Sequence, residues 1–144
     1  MKGSYVILIR LPKAQTITIG SLSDVYFPRG YYAYVGSALG GVESRLSHHL
    51  SRTKKRHWHI DYLLQKASIT DIIIGESESR VECAIAQVLN SQFDSIPGFG
   101  SSDCRCPSHL FFTAEGKPMK SAIMKTLKSM AIPPKLIGLR GHQK

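Results

Sequence analysis

Cysteines and long apolar runs are scarce in this sequence, and each scarcity argues against a class of protein. The three cysteines are too few, and odd in number, for the disulfide framework of a small secreted domain. No stretch reaches the roughly 18–20 apolar residues that cross a bilayer. The first residues lack the apolar core and cleavage site of a signal peptide. We therefore expect a cytoplasmic protein with no membrane partner.

Acidic residues are also few, which gives the chain a strong positive charge. Ten Asp and Glu stand against nineteen Lys and Arg, for a net charge of +9 in 144 residues. This surplus favours an anionic partner, and nucleic acid is the commonest, although an anionic metabolite, an acidic lipid surface or simple solubility would also account for it. The length and the absence of repeats or linkers predict one domain over residues 1–144.

The first half of the chain contains three segments with strand-like patterns. Residues 5–11 and 31–35 are rich in β-branched, aromatic and apolar side chains, and residues 15–19 alternate between polar and apolar. The short links between the segments favour antiparallel pairing, with residues 15–19 beside residues 5–11. The expected fold is α+β, with a small, mainly antiparallel three-stranded sheet flanked by helices.

Helical periodicity dominates the second half. A helix over residues 42–52 would bury Val42, Leu46 and Leu50. Further helical patterns cover residues 58–67 and 79–93, and a last helix begins at Pro118. Buried strands are predicted at residues 69–75 and 109–113, and the last strand and helix form a C-terminal extension. The basic tail from about residue 133 is expected to be loose.

Five residues with catalytic potential occur on these predicted elements. Tyr5 and Tyr34 lie on two strands, Arg45 and His49 on the helix that follows, and Glu82 on a later helix. Residues four apart share a helix face, so Arg45 and His49 would point together into a groove, offset from the apolar stripe.

Together, these side-chain types are sufficient for phosphodiester hydrolysis. A tyrosine oxygen can accept a proton from water if nearby cations lower its pKa from about 10. Arginine offers a planar fork of donors for phosphate oxygens. A glutamate can hold a hard divalent cation, with waters and substrate oxygens filling the other positions.

The motifs that carry these residues resemble those of the GIY-YIG nuclease superfamily. They read GSY at 3–5, YVG at 34–36, RLSHH at 45–49 and VEC at 81–83. More closely, the segments YYAYVGSALGGVESRLSHHL, HWHIDYL, VECAIA and SDCRCPSHLFF resemble the stand-alone Uri-type endonucleases of that superfamily. The resemblance covers most of the chain, from residue 3 to about residue 112.

This resemblance implies a mechanism with one divalent cation, usually Mg²⁺, with Mn²⁺ as an alternative. Glu82 would be the metal ligand, and Arg45 would bind the scissile phosphate. Tyr5 would be the general base, with Tyr34 hydrogen-bonding nearby and His49 supporting the proton network.

The resemblance also concerns the segments around the two tyrosines. Gly36 would permit a close turn beside the phosphate. Ser4 stands where the motif name has Ile. The gap between Tyr5 and Tyr34 is longer than the superfamily's usual short hairpin, so residues 12–30 are interpreted as an inserted hairpin.

Each candidate has a purely structural alternative. Taken alone, the two tyrosines are ordinary sheet aromatics, and Arg45 and His49 a solvated helix face, where His48 could replace His49. Glu82 also fits a capping box that starts at Ser79, a role that needs no metal. Glu76 and Glu78 are weaker substitutes for it.

Two further segments surround the predicted site. The basic run Arg52, Lys54, Lys55 and Arg56 would contact the phosphate backbone of nucleic acid, or form a solvated loop. In residues 57–61 a His/Asp pair could help to bind metal or phosphate, and a tryptophan packed at a helix start with surface histidines explains the pattern equally well. Asp61 is therefore left out of the predicted site.

A possible zinc site is the last feature. Cys104, Cys106 and His109 are three soft ligands within six residues, but a structural zinc site needs four, and the usual C-x-x-C spacing is absent. Cys83 would be the fourth ligand only if the fold brought it near. The sequence favours a tight loop with small buried cysteines over zinc.

Three functions remain as hypotheses. The first is a metal-dependent endonuclease acting on nucleic acid, DNA more than RNA. The second is a non-catalytic nucleic-acid-binding module with the same fold, and the third is a small zinc-stabilised interaction protein. Because no second domain is present to choose the target, a protein partner could supply that choice.

Overall fold

A sheet of six antiparallel strands forms the centre of the molecule. The computed structural model describes residues 2–38, 40–51, 58–101 and 104–138. In chain order, the elements of this part are β1 (Gly3–Leu11), β2 (Gln15–Ile19), a short 3₁₀ helix (Gly20–Leu22), β3 (Ser23–Phe27), β4 (Gly30–Ala38), α1 (Val42–Leu50), α2 (His59–Leu64), β5 (Ser68–Glu76), α3 (Glu82–Asn90), β6 (Asp94–Ser95), β7 (Leu110–Thr113), α4 (Gly116–Ser129) and β8 (Pro134–Gly138).

The strand order shows that the prediction of a three-stranded sheet is wrong. The large sheet runs β6-β7-β4-β1-β5-β8, and β2 and β3 form a separate two-stranded sheet. The expected pairing of β2 with β1 is also wrong, because β4 and β5 occupy the two edges of β1. A sequence pattern identifies a strand but not its neighbour, so the later strands were not assigned to this sheet.

Two hydrophobic cores cover opposite faces of the sheet. Alternate side chains of β1 point to opposite faces, so Ile7 and Ile9 enter one core and Val6 and Leu8 the other. The first core also includes buried residues of α1, α2 and the β2–β3 hairpin, and the second those of α3 and α4. The candidate catalytic tyrosines belong to the first core.

The helices differ from their predicted bounds at residues that matter for the site. α1 ends at Leu50, and its buried residues are Val42, Leu46 and His49. Leu50 is 44% exposed, so its predicted burial is wrong. His49 occupies the inward position instead, because residues spaced by four and then three stay on one helix face.

The C-terminal segment forms a strand where a loose tail was expected. Residues 134–138 pair antiparallel with β5, from Gly75↔Pro134 to Asp71↔Gly138. The partly buried Ile137 packs against the first core. This pairing satisfies backbone groups along the outer edge of β5, which is the physical reason for order there. None of the helices described is long and apolar enough to cross a membrane.

Candidate active site

The two tyrosines lie on neighbouring central strands, in spite of the long segment between them. β1 pairs with β4 so that Tyr5 is opposite Gly36 and Ile7 is opposite Tyr34. Tyr5 and Tyr34 are two positions apart in this register, so both face the first core. Tyr5 and Tyr34 are 2% and 7% exposed, which makes them buried groups at the base of any site.

Gly36 supports Tyr5 directly and lies within β4, not in the turn that was predicted. A Cβ atom added to Gly36 would be 2.5 Å from the Tyr5 Cζ atom and 2.6 Å from its hydroxyl oxygen. Such distances are well inside van der Waals contact. The absence of a side chain at Gly36 therefore leaves the space that the Tyr5 ring fills.

His49 is buried beside both tyrosines and does not point outward into a groove, as the sequence had predicted. Its Nε2 atom is 2.8 Å from the Tyr5 hydroxyl oxygen, and its ring centroid is 6.1 Å from that of Tyr34. Only 2% of His49 is exposed. A histidine in this position can exchange a proton with Tyr5 without a water between them.

Arg45 lies one helical turn before His49 and is only half-buried. Its guanidinium carbon is 4.7 Å from the centre of the Trp58 ring, a stacking distance that orients the planar group. Its charge and a hydrogen bond also act on the Tyr5 hydroxyl. Arg45 therefore connects the buried tyrosine with the surface.

Asp61 lies beside the candidate site, and the sequence interpretation left it out. It is fully buried, and its two carboxylate oxygens are 3.1 and 3.2 Å from His48 Nε2. It also accepts a hydrogen bond from the Trp58 backbone N–H at 2.8 Å, and one of its oxygens is 4.0 Å from His49 Nδ1. These neighbours offset the cost of burying a carboxylate.

Glu82 lies at the first turn of α3 and faces the end of β4. Its Oε1 atom accepts a hydrogen bond from the Ser37 hydroxyl at 3.0 Å and is 3.8 Å from Arg80 Nη1. The predicted capping box is wrong: α3 begins at Glu82, its N-cap residue is Val81, and no side chain caps it. Ser37, which follows the YVG motif, was not predicted as a site residue.

Burial controls the proton affinity of the tyrosines. It raises the pKa of Tyr5 to about 12, although the charge and hydrogen bond of Arg45 act in the opposite direction. Burial also raises the pKa of Tyr34. The lowered pKa expected for a tyrosine base is therefore not produced by the described protein groups alone. Glu82 and Asp61 add negative charge that raises both values further.

A second group of chemically active side chains lies next to Glu82. The ligand atoms of Cys83, Cys104, Cys106 and His109 are all within 4.8 Å of one another. His109 Nδ1 is 3.8 Å from Glu82 Oε2, so the two groups of residues meet at this pair. The fold thus brings Cys83 to the three ligands that the sequence had placed in one loop.

The predicted phosphate-contacting residues Arg52, Lys54, Lys55 and Arg56 lie outside the described residues, as does His57. Of the neighbouring histidines, His48 contacts Asp61, as above, and His59 accepts a hydrogen bond from the Gly100 backbone N–H at 2.9 Å. Neither takes the place of His49 beside Tyr5.

Comparison with known proteins gives one match. The model of the family described as "Domain of unknown function DUF123" matches residues 4–132. No curated protein and no solved structure matches the chain. The family description states no activity, so the resemblance to GIY-YIG nucleases rests on the sequence motifs.

Proposed function

The chain belongs to the DUF123 family, and we propose that it is a metal-dependent endonuclease that hydrolyses phosphodiester bonds in nucleic acid, DNA more than RNA. One observation carries the proposal. Tyr5, Arg45, His49 and Glu82 come from three separate segments and interact at one end of β1 and β4. Structural roles alone do not require a tyrosine, an arginine, a histidine and a carboxylate to interact there.

Arg45 is the phosphate-binding residue in this proposal. It is half-buried, so its guanidinium group can reach both the site and the solvent. Stacking on Trp58 restricts the plane of the guanidinium, and a planar fork of donors matches two phosphate oxygens. Its positive charge would stabilise the negative charge that develops on the phosphoryl oxygens during hydrolysis.

Tyr5 and His49 form the path for the proton. If the Tyr5 O–H donates to His49 Nε2, then Nδ1 carries the ring hydrogen and faces Asp61. The negative charge of Asp61 would then favour the imidazolium that forms when His49 takes the Tyr5 proton. The resulting tyrosinate could accept a proton from the attacking water.

Glu82 has the chemistry of a magnesium ligand. Mg²⁺ typically binds to one or two protein carboxylates and keeps several water molecules. Glu82 is 17% exposed at its side chain, and a carboxylate has more lone pairs than the hydrogen bond from Ser37 uses. When bound, the cation would supply positive charge to the phosphate and to the Tyr5 oxygen, opposing the effect of burial on the pKa of Tyr5.

The remaining elements of the proposal concern partners and location. The basic run at residues 52–56 would contact the nucleic-acid backbone, which carries no sequence information. Choice of target would come from the shape of the nucleic acid or from a protein partner. A cytoplasmic location remains a prediction from the low and odd number of cysteines.

The test is a cleavage assay on end-labelled DNA and RNA in single-stranded, duplex, flap and junction forms. Each substrate is incubated with Mg²⁺, with Mn²⁺ or with EDTA. We expect metal-dependent cleavage, and a loss of roughly 100-fold or more in Arg45→Ala and Glu82→Gln. Glu78→Gln is the matched control, because Glu78 is an exposed carboxylate near the same helix and should tolerate the change.

Circular dichroism of each variant separates lost chemistry from lost folding. Binding without cleavage in the wild type would replace the endonuclease by the non-catalytic binding module. Cleavage that persists in both site variants would show that these residues do not form the active site.

A further inference from the structure

The cluster of three cysteines and one histidine beside α3 supplies no reacting group to the proposed hydrolysis. Cys83 is the second residue of α3. Cys104 and Cys106 lie in the segment between β6 and β7, and His109 directly precedes β7. The cluster therefore joins two parts of the chain that are more than twenty residues apart in sequence.

The distances within the cluster match the edges of a tetrahedral metal site. Cys104 Sγ and Cys83 Sγ are 3.4 and 3.9 Å from His109 Nε2. Zinc bonds of about 2.3 Å to sulfur and about 2.0 Å to nitrogen place tetrahedral ligand atoms about 3.5–3.8 Å apart. One ion would thus fit between these side chains with small shifts of the sulfur atoms.

The local backbone holds the ligands in place. The Cys104 N–H donates to the Ser101 carbonyl at 3.3 Å, and the His109 N–H donates to the Phe99 carbonyl at 2.8 Å. Gly98 and Gly100 adopt positive φ angles of 73° and 69°, which favour glycine and let the segment fold back on itself. Cysteine and histidine side chains are thereby directed toward α3.

We propose that Cys83, Cys104, Cys106 and His109 bind one structural zinc ion that fastens the segment between β6 and β7 to the start of α3. Thiolate and imidazole ligands select a soft or borderline ion over Mg²⁺. Four protein ligands leave no open coordination position, which is typical of a structural zinc site. A single disulfide would use only two of the three sulfur atoms, and it would not explain why the third sulfur and His109 lie beside them.

The proposed ion also has a consequence for Glu82. Zinc bound at His109 Nε2 leaves the Nδ1–H group facing Glu82 Oε2, 3.8 Å away. Histidines that bind a metal commonly direct their second nitrogen to a carboxylate, either directly or through water. The zinc site would thus help to orient Glu82, the first residue of the helix that carries Cys83.

The first measurement is the metal content of protein purified without chelator, by mass spectrometry of the elements. We expect about one zinc ion per chain in the wild type. The zinc content should be tenfold or more lower in Cys104→Ser and in Cys106→Ser. Arg105→Ala is the matched control: Arg105 is exposed in the same segment and offers no thiol or imidazole. It should retain the metal.

The second measurement keeps the proposal testable if a variant fails to fold. Cobalt(II) added to wild-type protein after zinc removal should give the intense visible bands of a tetrahedral ion and a near-ultraviolet thiolate band. His109→Ala should change the visible bands. A weak octahedral spectrum, or three thiols that react freely with a thiol reagent in zinc-supplemented protein, would overturn the proposal.

Discussion

Two properties of the Tyr5 hydroxyl group favour its protonated form. It is buried, which raises its pKa to about 12, and it is hydrogen-bonded to His49 at 2.8 Å. A buried neutral hydroxyl is stabilised by this bond, whereas a buried tyrosinate is costly without a nearby positive charge. The resting protein should therefore hold Tyr5 in its protonated form.

The substitution Tyr5→Phe should change how the free energy of unfolding depends on pH, because it removes the Tyr5 proton. A tyrosine whose pKa is higher in the folded than in the unfolded state favours folding below pH 10, and this contribution is lost as the pH rises toward 12. The wild type should lose roughly 2–3 kcal/mol more than Tyr5→Phe across that interval. Near pH 8 the variant should be less stable by about 1 kcal/mol, because the bond to His49 is gone.

Urea denaturation at a series of pH values, followed by circular dichroism, measures both differences. The two stability curves should cross between pH 10 and pH 12, because the wild type starts about 1 kcal/mol more stable and loses roughly 2–3 kcal/mol more than the variant. Parallel curves from pH 8 to pH 12 would mean that Tyr5 ionises equally well in the folded and unfolded protein.

The sequence predicted some residues of the candidate site and missed others, for physical reasons. Tyr5, Arg45, His49 and Glu82 were predicted from their motifs, and the fold brings them together. The inward direction of His49 was not predicted, because the choice between two offset helix stripes depends on what packs opposite. Asp61 was missed because its partner His48 lies on α1 and becomes visible only when α1 and α2 are placed together. Its other partner, the Trp58 N–H, is local to the start of α2 and by itself indicates only a helix cap.

Strand β8 forms because a neighbouring strand is available for pairing. Residues 134–138 have no strong alternation of polar and apolar side chains. Their order comes from pairing with β5 and from the contact of Ile137 with the first core. In contrast, α3 and α4 carry clear apolar stripes, and helices were expected at both places.

Substitutions in β8 should separate its inward and outward positions. Ile137→Ala removes a partly buried side chain and should lower the free energy of unfolding by about 1–2 kcal/mol. Leu136→Ala changes a neighbour that is 43% exposed and should cost roughly 0.5 kcal/mol or less. Urea denaturation compares them. An equal loss in both variants would mean that β8 does not pack as described.

The charge of the whole molecule determines how it would meet nucleic acid. With a net charge of +9, attraction to phosphate should provide most of the affinity for nucleic acid. This attraction weakens as the salt concentration rises. Such binding would allow the protein to sample many sites before Arg45 positions one phosphate. Specificity would then come from the shape of the substrate.

The affinity for duplex DNA should fall roughly 100-fold between 50 and 200 mM salt if three to four phosphates are neutralised. Fluorescence anisotropy measures this dependence. Changing Lys54, Lys55 and Arg56 to Gln should reduce the slope of log affinity against log salt concentration by the equivalent of up to about three phosphate contacts. The same charge change at Lys117, Lys125 and Lys128, which are exposed on α4, is the matched control. Equal effects of the two triple variants would argue against the basic run as the contact.

The strand order also determines when a growing chain acquires its parts. The adjacent central strands β4, β1 and β5 all lie within the first 76 residues, whereas β7 and β8, which flank them, come from residues 110–138. During synthesis, the sheet can therefore form from its middle outward. Glu82 and the cysteine cluster emerge later than Tyr5 and Arg45. A ribosome-bound chain would hold the tyrosine half of the candidate site before the carboxylate half, and both sides of the central strands would stay open until residues 110–138 have been synthesised.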